Sequence, residues 1–112
     1  MIRAEAQPKG GVLMATYVTL VKFTSEGLKS IGDFGKEWEE GAKKVAQMGI
    51  KTIGAYGLLG PYDMMFIYEA PDEKAAASVP LSFSSRKGGA QTETWTAIPM
   101  EEFVKLTERF KG

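Results

Sequence analysis

The chain contains no cysteine and no histidine. Without cysteine the protein has no disulfide, no thiolate metal site and no cysteine nucleophile. Without histidine it has no Ser/His or Cys/His catalytic arrangement and no histidine-ligated metal centre. Any chemistry would therefore depend on carboxylates, Lys, Tyr, Arg, Ser/Thr or a bound cofactor, and we expect neither a metal nor a cofactor.

The chain also lacks an excess of charge and a long apolar run. Its 14 basic and 14 acidic residues cancel, and this balance argues against a nucleic-acid footprint or an anionic membrane partner. No apolar run approaches the roughly 20 residues that cross a bilayer. We therefore expect a cytoplasmic protein that contacts neither nucleic acid nor membrane.

The 112 residues are enough for one domain and too few for two. The first residues mix charges with Pro8 and the pair Gly10-Gly11, without hydrophobic periodicity. We expect residues 1–13 to be a flexible N-terminal lead and residues 14–112 to form a single domain.

Four segments have the composition or alternation of strands. Ala15 to Phe23 is rich in β-branched and aromatic residues and is predicted as the first strand. Strand two is predicted over 50–59, strand three over 64–69 and strand four over 91–98. The sequence Leu59-Gly60-Pro61-Tyr62-Asp63 predicts a tight reversal that makes strands two and three antiparallel.

Three segments have the periodicity or the start signals of helices. Phe34 to Met48 carries apolar residues at three- and four-residue spacing after Asp33, a possible N-cap. A second, Ala-rich helix begins near Pro71 and is predicted to end or kink at Pro80, with a loop over 82–89. A terminal helix follows Pro99, and we expect its apolar stripe to be buried; the stripe comprises Met100, Phe103, Val104, Leu106 and Phe110.

The order β, α, β, β, α, β with an added C-terminal helix is typical of a ferredoxin-like α+β sandwich with an antiparallel sheet. Strands one and three take the centre, and the helices cover one face of the sheet. On the other face Val18, Leu20, Met65 and Ile67 are too apolar for water. We therefore expect a homodimer or higher homo-oligomer that covers this face with a second copy.

The chain resembles the GYD domain family from Met14 to Phe110. The resemblance is carried by the strand over 17–23, by Gly60-Pro61-Tyr62-Asp63 as a version of the Gly-Tyr-Asp signature, by the run over 69–72 and by Thr92-Glu93-Thr94. Pro61 departs from the family, where this position is often acidic or polar. The resemblance implies a small bacterial or archaeal protein with a dimeric α+β barrel, and it implies no defined activity.

Seven residues are candidates for binding a ligand, although each has a structural alternative. Tyr62 and Asp63 also fit a turn clamp in which Asp63 accepts backbone N–H bonds. The end of strand one lies beside the start of strand three, so we also predict an ion pair between Lys22 and Asp63. The full set of candidates is Lys22, Tyr56, Tyr62, Asp63, Glu69, Arg86 and Trp95.

The other candidates have equally ordinary alternatives. Glu69 could act as a general base or cap the helix beyond Pro71. Trp95 could stack on a flat ligand or belong to the core. Arg86, next to Lys87, could hold an anion or lie in a solvated loop, and the phosphate-loop pattern is absent.

Two functions remain open at this point, and no catalytic residue can be named. The predicted function is the binding of a small organic molecule in a cavity of each subunit, by a ligand-binding protein or a cofactor-independent enzyme with Tyr56, Trp95 or Glu69 near the substrate. The alternative is a non-catalytic oligomeric binding or regulatory module. A closed cavity of a few hundred Å³ would favour the first function, and a filled interior would favour the second.

Overall fold

The computed structural model of the protein describes residues 14–111. Within this range four strands form one antiparallel sheet in the order β2-β3-β1-β4, with β1 and β3 in the centre as predicted. The predicted N-terminal lead, residues 1–13, lies outside the described residues. The strands are β1 (Ala15–Phe23), β2 (Lys51–Gly57), β3 (Met64–Ala70) and β4 (Ala90–Ala97).

The helices complete an α+β fold of the ferredoxin-like class, which confirms the predicted fold class. A short helix and a 3-10 turn over Ile31–Asp33 precede the first long helix, and a second 3-10 turn, Glu108–Phe110, ends the described chain. The helices are α1 (Ser25–Leu28), α2 (Phe34–Gln47), α3 (Glu73–Ser84) and α4 (Met100–Thr107).

Strand alternation sorts the central side chains between the two faces of the sheet. On β1, Tyr17, Thr19 and Val21 are buried, whereas Val18 and Leu20 between them remain partly exposed. The buried set packs under α2 and α3, which supply Val45, Val79 and Phe83 to the core. The remaining core residues are Ile50, Met64, Phe66, Tyr68, Ala70 and Ala76.

The second helix does not end at Pro80, which was one of the two outcomes predicted for this proline, because α3 runs through Pro80 to Ser84. Proline has no N–H to donate to the carbonyl four residues earlier, which here belongs to Ala76. That carbonyl accepts a hydrogen bond from the buried hydroxyl of Tyr68 instead, at 3.2 Å. The helix therefore continues because a strand side chain replaces the missing donor.

The predicted burial of the C-terminal helix is also wrong within the described chain. The predicted stripe lies on α4 and the turn after it, and Phe103 is 48% exposed and Phe110 is 85% exposed. Amphipathicity indicates that a helix needs an apolar partner, but it does not say which surface provides it.

The loop after α3 packs tightly against α1. Thr24 caps α1 by accepting from the Gly27 N–H, and its hydroxyl donates to the Gly88 carbonyl at 2.6 Å. Gly88 has φ of +86°, and a Cβ at Gly27 would lie 2.6 Å from the Gly89 carbonyl oxygen. Only glycine fits this contact, which fixes the position of the neighbouring Arg86.

Candidate functional site

Asp63 ties the turn between β2 and β3 to the end of β1. Its Oδ2 accepts a hydrogen bond from the backbone N–H of Phe23 at 2.8 Å. Its own N–H donates to the Val21 carbonyl at 2.8 Å, and its carbonyl accepts from the Leu58 N–H at 2.9 Å. The predicted turn clamp is therefore confirmed: the carboxylate and the backbone of one residue join three segments.

The predicted ion pair between Lys22 and Asp63 is wrong, although the two residues are neighbours as expected. The Lys22 ammonium donates to the carbonyl of Pro61 at 3.1 Å. The Asp63 carboxylate is committed to the N–H of Phe23. The Lys22 side chain is bound to a carbonyl of the turn and the Asp63 side chain to an N–H at the end of β1, and alternation along the strands does not reveal either partner.

Tyr62 and Trp95 both donate hydrogen bonds to the carboxylate of Glu93. The Tyr62 hydroxyl reaches one oxygen, and Nε1 of Trp95 reaches the other at 3.2 Å. The hydrogen bond to Glu93 is the main cause that raises the pKa of Tyr62 above its ordinary value. Sequence reasoning missed Glu93 as a site residue, because only the register, which pairs Glu93 with Leu20, places it beside the turn.

Four apolar residues form the centre of the sheet face opposite α2 and α3, here called the helix-free face. Val18 pairs with Ile67, and Leu20 pairs with Met65. All four side chains are partly exposed. This face has the composition that alternation predicted.

Two aromatic candidates flank the helix-free face on its two sides. Tyr56 pairs with Met65 and is 56% exposed, and Trp95 pairs with Val18 and is 61% exposed. The core alternative for Trp95 is therefore wrong. The other tryptophan, Trp38, packs against the core.

Glu69 lies near the end of β3, where it pairs with Thr16 on one side and Lys51 on the other. The alternative role that was considered for it, capping the next helix, belongs to Asp72. The Asp72 Oδ1 accepts from the Ala75 N–H at 2.8 Å.

Arg86 is a structural cation and does not lie in a solvated loop. Its side chain is only 5% exposed, and its Nε donates to Oε1 of Glu37 at 3.0 Å. Its other nitrogens donate to the Gly27 carbonyl at 3.0 Å and to the Ser30 hydroxyl at 3.4 Å. The guanidinium also lies 5.0 Å from the centre of the Phe23 ring. These internal partners do not favour the predicted ligand role.

The candidate residues do not converge on one pocket. Arg86 lines a cavity of about 70 Å³ between α2, α3 and the sheet. Tyr56 and Asp63 line an open depression of about 410 Å³ near the start of α2. Lys22 and Tyr62 line a different open groove of about 510 Å³ along β4.

Residues 14–111 lack two further classes of feature. No group of three or more carboxylates in this range could hold a metal ion. None of the helices in the same range is long and apolar enough to cross a membrane.

The family model of the GYD domain matches residues 17–107, from within β1 almost to the described C-terminus. The chain belongs to the GYD domain family. The resemblance inferred from the signature around Tyr62 is thereby confirmed, and the matched region includes the whole of α4.

One curated relative comes from the bacterium Thermus thermophilus and is named "Glutamine synthetase and cystathionine beta-lyase binding protein". It is 28% identical to this chain over 92 residues, which cover 81% of this chain and 96% of the relative. No solved structure matches the chain. The relative is thus a protein-binding protein of nearly the same extent as this GYD domain.

Proposed function

We propose that this protein is a non-catalytic, homo-oligomeric module that binds another protein, an enzyme of the kind that its relative binds. The observation that carries the proposal is the name of the relative, which states binding to two enzymes. Because the likeness extends over 96% of that protein, its binding activity belongs to the same domain. Protein partners are therefore the first to test.

The shape of the interior supports a binding module over a protein with a buried ligand site. Pockets for organic ligands usually enclose about 300–1,000 Å³. The cavity under α2 and α3 has about 70 Å³, which is room for little more than a few water molecules. The stacked rings of Phe66 and Tyr68, 5.0 Å apart, belong to the filled core beside it.

A second copy of the chain is the partner we propose for the helix-free face. Each end of this face holds one lysine and one glutamate, with Lys22 and Glu93 at one end and Lys51 and Glu69 at the other. Two copies can therefore stack in either direction without bringing ends of one charge together. The apolar centre between these ends is the surface that stacking would remove from water.

A small organic ligand remains a second candidate because two of the predicted residues share one depression. Tyr56 and Asp63 line the open depression of about 410 Å³ together with Phe23 and Trp38. A flat molecule would stack there on an aromatic ring. Such a ligand, and the cytoplasmic location expected from the sequence, stay predictions.

The test uses purified full-length protein with glutamine synthetase and cystathionine β-lyase from the same organism. We expect saturable binding to at least one of them by surface plasmon resonance, and a co-migrating complex in size-exclusion chromatography with light scattering. An unrelated oligomeric enzyme is the control and should not bind. A folded protein that binds neither enzyme at high micromolar concentration would refute the proposed partners.

A further inference from the structure

The helix α4 has no extensive packing partner among the residues of its own chain that the structure describes. It packs closely only against the 3-10 turn that follows it, and its neighbours among residues 14–111 include no long stretch of strand or helix. Isolated helices shorter than about 12–15 residues are marginal in water, and α4 has 8 residues. Its stability therefore requires a surface that residues 14–111 of one copy do not provide.

The sequence of α4 divides cleanly into an apolar and a charged side. At 100° per residue, the apolar stripe covers somewhat less than half of the helix circumference. The charged residues Glu101, Glu102 and Lys105 occupy the opposite side. The stripe is exposed along its whole length and comprises Met100 69%, Phe103 48%, Val104 49%, Leu106 37% and, in the following turn, Phe110 85%.

The four apolar side chains at the centre of the helix-free face do not supply the area of a standard dimer interface by themselves. A standard interface removes about 800 Å² per partner from water. Val18, Leu20, Met65 and Ile67 are only partly exposed, so these four side chains supply well under that area. A dimer that uses this face needs further apolar surface from the same chain.

The α4 stripe begins next to that face in the sequence. Trp95, at the edge of the face, is three residues from Ile98, which is 50% exposed and leads through Pro99 into α4. Exposed apolar residues thus continue along the sequence from β4 to the stripe. The family match also extends to residue 107, the last residue of α4, so the helix is part of the family's domain.

We infer that α4 packs against a second copy of this chain, so that two subunits exchange their C-terminal helices beside the paired helix-free faces. This inference rests on the homo-oligomer of the proposed function and names the segment that completes its interface. Exchange explains both why α4 lacks a partner in the described part of its own chain and how the interface reaches a stable size. The charged side of α4 remains in water.

The absence of native cysteine permits a direct test by site-specific cross-linking. Val104→Cys places a single thiol in the stripe, and Lys105→Cys places it on the charged side as a matched control. Each variant is labelled with a thiol-reactive benzophenone. Unlabelled and ¹⁵N-labelled subunits are mixed by unfolding and refolding, irradiated and analysed by peptide mass spectrometry.

We expect Val104→Cys to give cross-linked peptides that join a heavy and a light chain, at least fivefold more than Lys105→Cys. If the protein is a dimer but Val104→Cys gives no cross-link between a heavy and a light chain, the inference is overturned. The homodimer of the proposed function is then unaffected. A protein that is monomeric by light scattering would overturn both. Binding to the two enzymes is measured separately, so its failure is distinguishable from either result.

A second pair of variants tests the same contact without a probe. Val104→Asp is expected to raise the dimer dissociation constant at least tenfold, whereas Lys105→Asp leaves it within threefold. Circular dichroism should show a folded sheet domain in both, because α4 does not support the core of its own chain. Equal dissociation constants for the two variants would contradict the exchange of helices.

Discussion

Arg86 shows how one residue can hold several segments of the fold together. Its guanidinium bonds to Glu37 of α2, to the Gly27 carbonyl of α1 and to Ser30, and it lies over the ring of Phe23. A buried cation is tolerated only when its donors are satisfied, and here three separate groups accept from it. Removing it leaves the acceptors without their donor.

We expect Arg86→Met to lower the free energy of unfolding by about 3 kcal/mol, near the low end for a broken buried pair. The low end applies because the Glu37 side chain is 33% exposed and water can partly replace its partner. The neighbouring Lys87 is exposed, so Lys87→Met is the matched control and should change stability by less than about 0.5 kcal/mol. Urea denaturation measures both, and equal losses would contradict the structural role of Arg86.

At the scale of elements, α3 and the central strands are joined through a chain of buried hydroxyls. The Tyr68 phenol has one proton, which it donates to the Ala76 carbonyl, so it accepts from the Thr19 hydroxyl at 3.0 Å. Thr19 in turn bonds to Thr94 of β4 at 2.8 Å. Burial is the main cause that raises the pKa of Tyr68, so the phenol keeps its proton at neutral pH. The chain of bonds links β4, β1, β3 and α3.

We expect Tyr68→Phe to cost about 1–3 kcal/mol, because it leaves the buried Ala76 carbonyl without a donor. In a Pro80→Ala background the residue 80 N–H can donate to that carbonyl, so the same change should cost markedly less. A double-mutant cycle in urea measures the coupling. Tyr17→Phe is the control, since its hydroxyl is not part of these bonds. Additive effects of the two changes would refute the compensation.

At the scale of the whole molecule, the chain carries two apolar surfaces that residues 14–111 of the same copy do not cover. The helix-free face and the α4 stripe lie outside the core under α2 and α3. Monomeric proteins rarely leave large contiguous apolar patches in water. In our proposal these apolar surfaces serve self-association, and the resulting oligomer binds an enzyme.

We expect the protein to be a dimer at micromolar concentration and Leu20→Asp to raise its dissociation constant by about 100-fold or more. The estimate takes roughly 1.5–3 kcal/mol for each leucine that leaves the interface, counted in both subunits. Leu81→Asp is the matched control, because Leu81 is 65% exposed on α3, on the other side of the sheet. Analytical ultracentrifugation measures both, and a native monomer at these concentrations would contradict the proposal.

The local sequence pattern was enough to predict the structure where the environment of a residue follows from its neighbours in the sequence. The bounds of β1 and the central place of β1 and β3 were predicted because side chains alternate across a sheet and crossovers have one hand. The clamp at Asp63 was predicted because aspartate side chains in turns often accept hydrogen bonds from nearby backbone N–H groups. Glu93 was missed because its place beside Tyr62 depends on the pairing of β4 with β1.

The sequence by itself determined the fold class, the family and the apolar character of the helix-free face, since these depend on periodicity and composition. Only the tertiary structure decided that α3 passes through Pro80, that Arg86 is held by Glu37, 49 positions away, and that α4 lies uncovered. The physical reason is common to all three. An acceptor without its usual donor, a buried charge and an apolar stripe each require a partner. Whether residues from distant parts of the chain supply that partner depends on the tertiary structure.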